Sequence, residues 1–235
     1  MRRASALLAV LLLAACSTAV PEPEQASTSG PVELRTVVTL GDSVPAGTAC
    51  GCDPFPALYA REQHATDVNL AEPGSTAADV RAALPTEHDV IASAAEVVIM
   101  TGANDMGAVF DDPTRYRSAA ESVQADVTAT VAAIEQLRPI PVIVLGYWNV
   151  VQDGDVGKAT YGPDGVQNAA DATDLVNNAL QQAAAQPGAA YVSTEEAFHG
   201  DDGTHDPTGM LAPDGDHPNA AGHAAIAALL PPLPG

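Results

Sequence analysis

Three short stretches place a hydroxyl, an amide and an acid–imidazole pair at points where the chain changes character. Gly41-Asp42-Ser43 closes the first apolar run of the folded part, and Gly102-Ala103-Asn104-Asp105 follows the third. Asp214-Gly215-Asp216-His217-Pro218-Asn219 stands just before the last apolar segment. A serine hydroxyl is a poor nucleophile until a base takes its proton. Histidine suits that task because its unperturbed pKa lies near neutrality. A carboxylate on the ring's other nitrogen fixes the tautomer and stabilises the imidazolium. Ser43 as nucleophile, His217 as base and Asp214 as orienting acid would perform acyl transfer. The three-residue step from Asp214 to His217 lets both side chains point inward from one turn. Each residue also has an inert reading: Ser43 as a helix cap, Asn104 as a turn cap, His217 as a surface histidine. Asp42 suits a capping role better than a catalytic one.

With Ala71-Glu72-Pro73-Gly74-Ser75 after the second apolar run, these stretches resemble the SGNH (GDSL) hydrolase family. That family's pattern is a Ser in GDS, a Gly, an Asn in GxND and a His in DxxH, and the four occur here in that order between Val37 and Leu230. The resemblance implies a serine esterase or lipase acting on acyl esters, with a three-layer αβα sandwich of flavodoxin-like type around a five-stranded parallel sheet. It implies an oxyanion hole made by the backbone N–H groups of Ser43 and Gly74 and the amide of Asn104. Gly74 fits because a residue without Cβ lets backbone approach substrate closely. The mechanism needs no metal and no cofactor. Pro45 stands where a Gly-x-Ser-x-Gly elbow would have its last glycine, which argues against the α/β-hydrolase arrangement.

Asp202-Gly203-Thr204-His205 is a second DxxH, but only the Asp214–His217 copy has its histidine in His217-Pro218-Asn219 with a helical run after it, as the family pattern expects. The acids and histidines of residues 199–217 match neither a zinc pattern nor an EF-hand loop, and are read as an acidic loop. Tyr147 and Trp148 follow the fourth run and are candidate substrate contacts at the rim; a packed tryptophan is the alternative. Cys50 and Cys52 form either a disulfide across one residue or two free thiols.

The elements that would position these residues are legible as runs and periods. Val37–Leu40, Val68–Ala71, Val97–Met100, Ile140–Leu145 and Ala189–Val192 are short apolar runs without alternation, as in strands buried on both faces. Val123, Val127, Val131, Ile134 and Leu137 line one helical face, and Ala172 to Ala183 a second that stops at Pro187-Gly188. Phe55–Glu62, Thr76–Leu84 and Ala220–Leu230 are shorter helices. Such β-α alternation predicts an open doubly wound sheet, whose ligands sit outside the carboxyl ends of the strands.

The charge balance is 9 Lys+Arg against 30 Asp+Glu, a net −21, which excludes phosphate-backbone binding and a basic membrane patch. Nucleic acid is therefore not a partner. Arg2 and Arg3, the apolar run Leu7 to Ala15 and Cys16 read as an export signal over 1–15 whose Leu-Ala-Ala-Cys ending resembles a bacterial lipobox. Lipidation of Cys16 would then hold the chain at the outer face of the membrane through residues 16–33, a Ser/Thr/Pro/Glu tether. Residues 34–235 form the hydrolase domain, expected to act as a monomer. The rivals are a thioesterase or acyltransferase using the same triad, and a ligand-binding lipoprotein without chemistry.

Overall fold

The first strand, β1 (Thr36–Gly41), carries β-branched and apolar side chains on both faces, and all but its first residue are buried. β3 (Glu96–Met100) and β4 (Val142–Leu145) are buried throughout. β2 (Thr66–Asn69) and β5 (Ala189–Val192) flank them as half-buried edges. The computed structural model describes residues 35–234, so the expected leader, Cys16 and the tether lie outside the described residues. All strand pairs are parallel, in the order β2-β1-β3-β4-β5. That is the flavodoxin-like order, and its switch point, where ligands bind, lies between β1 and β3.

Nine helices surround the sheet among the described residues: α1 (Ser43–Ala46), α2 (Phe55–Glu62), α3 (Ala77–Ala83), α4 (His88–Ser93), α5 (Ala103–Gly107), α6 (Tyr116–Leu137), α7 (Gly154–Ala183), α8 (Glu195–His199) and α9 (Ala220–Leu229). α3, α6 and α7 pack side by side as one layer, and α2 packs on α9 in the other. The Val123-Val127-Val131-Ile134 stripe of α6 is fully buried, as its period predicts. α3 opens with a capping box in which Thr76 and Asp79 satisfy each other's backbone N–H. α9 opens on Asn219, whose side chain accepts from the N–H groups of Ala221 (2.8 Å) and Gly222 (3.2 Å). This cap pins the chain two residues after His217. No helix among the described residues is long and apolar enough to cross a membrane.

Two elements differ from the sequence reading. The second strand runs over Thr66–Asn69, two residues earlier than the apolar run. It ends because Asn69 turns the chain: its Oδ1 accepts from the N–H of Ala71 (3.1 Å) and its Nδ2 donates to the carbonyl of Pro45 (2.7 Å). The helix expected from Ala172 begins at Gly154 and bends at Gly162 (φ 65), just before Pro163. At the base of the domain, Arg35 donates to the carbonyl of Pro234 (2.6 Å), so the two ends of the described chain meet below the start of β1.

Candidate active site

The end of β1 is shaped by close approach. A Cβ on Gly41 would collide with the carbonyl oxygen of Met100 in β3, so only glycine lets the two strand ends come together there. Asp42 follows and caps α1, its Oδ1 accepting from Val44 N–H at 3.0 Å. Ser43 is therefore the first helical residue, where a backbone N–H has no partner within the helix. Tyr147, beyond the end of β4, donates its hydroxyl to the other oxygen of Asp42. Both side chains are buried. Burial pushes the Asp42 carboxyl up to about 6, against the pull of the Tyr147 and Val44 hydrogen bonds.

The acid–base pair is built on one loop. Asp214 Oδ1 accepts from the backbone N–H of Asp216 (3.0 Å) and of His217 (3.1 Å), leaving Oδ2 to take Nδ1 of His217 at 2.8 Å. A carboxylate on Nδ1 assigns the proton to that nitrogen and leaves Nε2 bare as the base. Burial alone would raise Asp214, but these hydrogen bonds outweigh it and hold the carboxyl below its usual range. The loop is tied on both sides. Ala212 N–H donates to the carbonyl of His217 at 2.7 Å, and Gln152 donates to the carbonyl of Asp214 at 3.0 Å.

Ser43, Gly74, Asn104 and His217 line one cavity of about 630 Å³ above the switch point. Asn104 Nδ2 donates to the carbonyl of Ser75 at 2.9 Å, which fixes the amide plane and links the loops after β2 and β3. Its second N–H remains for a ligand. Gly74 has φ 86, and a Cβ there would meet open space. The left-handed backbone at this position favours glycine. Among the described residues no hydrogen bond joins the Ser43 hydroxyl to His217; such bonds are often long without substrate.

The rival DxxH is elsewhere. Asp202 spends its Oδ1 on Thr204, and His205 is exposed and does not line the cavity. Tyr147 lines the cavity, but Trp148 does not: it is 3% exposed and stacks on Phe198, ring centroids 4.1 Å apart. Trp148 is thus packed against Phe198 and not set in the cavity wall, which is the packed-tryptophan alternative left open by the sequence. Cys50 and Cys52 are joined as a disulfide, with Cα atoms 5.1 Å apart. Gln152 and Tyr161, which sequence reasoning did not single out, line the cavity together with Asn149 and Asp216; burial raises the carboxyl of Asp216.

A family model, the GDSL-like lipase/acylhydrolase family, matches residues 39–225. The chain belongs to this family. Membership makes it a hydrolase acting on esters. Among curated proteins nothing matches the chain. The solved structures similar to this family member include the lipase Lip_vut3 from a goat rumen metagenome, at 19% identity and a TM-score of 0.69, covering 83% of this chain and 94% of that one. Another is a catalytic mutant of Axe2, an acetylxylan esterase from Geobacillus stearothermophilus, at 19% identity and a TM-score of 0.61, covering 83% and 91%. TesA is 23% identical with a TM-score of 0.59, covering 83% and 94%. At these identities the likeness is one of fold, and it agrees with the five-stranded parallel sheet expected from sequence.

Proposed function

We propose that the protein is a serine carboxylic-ester hydrolase in which Ser43 attacks the acyl carbonyl and His217 takes its proton on Nε2. The observation that carries this reading is the Asp214–His217 hydrogen bond of 2.8 Å beside the cavity that Ser43, Gly74 and Asn104 share with His217. Asp214 stabilises the imidazolium as it forms. The backbone N–H groups of Ser43 and Gly74 and the free N–H of Asn104 receive the oxyanion. Collapse expels the alcohol, protonated by His217, and water then attacks the acyl-Ser43 by the same steps in reverse.

The substrate we infer is a neutral ester, an O-acetylated carbohydrate or a lipid ester. No lysine or arginine is among the described residues lining the cavity, and Asp216 adds an acid to its wall. A coenzyme A thioester carries phosphates that such a wall would repel, so the thioesterase reading is the weaker one. Polar Thr76, Asn149, Gln152 and Tyr161 alternate with Ala103, Val150 and Val151, a lining suited to a sugar hydroxyl beside a short acyl group. Relatives described as a lipase and an acetylxylan esterase support the same class. A ligand-binding lipoprotein would have no use for a base and its orienting acid. We place the protein outside the cell, as a monomer anchored through lipid on Cys16. Hydrolysis of p-nitrophenyl acetate should fall at least about a thousandfold in Ser43→Ala. A fluorophosphonate should label Ser43; labelling of another serine, or an active Ser43→Ala, refutes the assignment.

A further inference from the structure

The loop between α1 and α2 holds a second chemically active group away from the cavity. Cys50 and Cys52 are bridged, both are half-buried, and Gly51 between them is exposed. A bridge two residues apart closes a very small ring, and cross-links stabilise least when the loop they close is short. Stapling is therefore a poor account of it. Behind the bridge stands His223 of α9, fully buried, with a ring nitrogen and the two sulfurs all within 4.8 Å of one another. Its Nδ1 accepts from Phe55 N–H at 3.2 Å, so the neutral ring carries its proton on Nε2. That nitrogen is buried and has no hydrogen-bond partner. Burial lowers the His223 pKa to about 4, so the ring is neutral at pH 7.

An unpartnered N–H is costly in a core, and here it belongs to the ring that flanks two sulfurs. A metal held by the same three residues would need a bare ring nitrogen, but Nδ1 is occupied by Phe55 and Nε2 carries the proton. A sulfur that acquires negative charge is the partner that fits a donor. We propose that Cys50, Cys52 and His223 form a thiol–disulfide exchange site whose reaction partners are dithiols. A thiolate of the dithiol attacks one sulfur of the bridge, forming a mixed disulfide and releasing the other sulfur as a thiolate stabilised by the imidazole N–H. The second thiol of the same reagent then attacks the mixed disulfide. It leaves as a cyclic disulfide, while Cys50 and Cys52 gain two electrons and, from the thiols, two protons. The proposal is independent of the ester-cleaving reading.

The test uses the folded full chain, dithiothreitol as the dithiol, and mass-tagging of free thiols to follow opening of the bridge. The comparison is an oxidised peptide of residues 47–54. The protein's bridge should open about tenfold faster than the peptide's, the gain expected when the leaving thiolate is hydrogen-bonded. His223→Phe, which keeps the aromatic contact with Phe55, should lose that gain, and His223→Gln, which keeps an N–H donor, should recover part of it. A protein rate no faster than the peptide's overturns the proposal, and that comparison needs no variant to fold. So does wild-type exchange in His223→Phe, or zinc bound by the reduced protein so tightly that both thiols are protected.

Discussion

Asp42→Asn isolates the charge beneath the nucleophile without dismantling the geometry. The asparagine carbonyl can still accept from Val44 N–H, and its NH₂ can donate to the Tyr147 hydroxyl that donates in the wild type. What disappears is a carboxylate that ionises only near 6 when folded, against an ordinary value of 3.8, because it is wholly buried. Between those two values the folded chain holds a proton that the unfolded chain has released. Wild-type stability must therefore fall as pH rises through that window. The gap from 3.8 to about 6 corresponds to about 3 kcal/mol. Urea unfolding of both proteins from pH 4 to pH 8 reads it as a difference, so the other carboxylates cancel. The variant's advantage should grow by about 1.4 kcal/mol per pH unit from pH 4 to 6 and then stay level. A difference that does not change with pH, or one that turns against the variant as pH rises, would refute the claim that the folded protein carries this charge at a cost.

Asn104→Ala should lower kcat about a hundredfold with a much smaller change in KM, the loss expected for one oxyanion donor; an unchanged kcat removes Asn104 from the site. His217→Ala should abolish p-nitrophenyl acetate hydrolysis while His205→Ala keeps most of it, and the reverse result would move the base into the 201–206 loop. Trp148→Ala should cost about 3–5 kcal/mol in urea unfolding through the lost stack on Phe198. Assayed well below its midpoint, that variant should keep its kcat, and a large drop in kcat would return Trp148 to the substrate.

The parts of the fold visible in sequence are those whose cause is local. β1, β3 and β4 are buried on both faces, so their apolar runs have no polar alternation to obscure them. β2 is an edge, and its boundary is set by the side chain of Asn69, which hydrophobicity does not register. The first half of α7 contains Gly154, Gly157, Gly162 and Pro163, residues that sequence reasoning takes for a loop. The residues gathered around the cavity follow the same division. Ser43, Asn104 and the Asp214–His217 pair each lie in a short stretch with its own spacing. Tyr147 meets Asp42 across 105 residues, and Gln152 meets Asp214 across 62, so nothing in either neighbourhood announces the partner.

The hydrogen bond between Arg35 and Pro234 fixes a direction as well as a contact. It lies at the start of β1, whereas Ser43 follows that strand's far end, so the six-residue strand separates the two by about 20 Å. Anything attached ahead of Arg35 therefore grips the domain at the pole opposite the cavity. Tied to a surface by a short connection at that end, the domain would present its mouth outward, to esters arriving from the surroundings. Esters embedded in the surface beneath it would be reached only if the connecting segment were long enough for the domain to turn over.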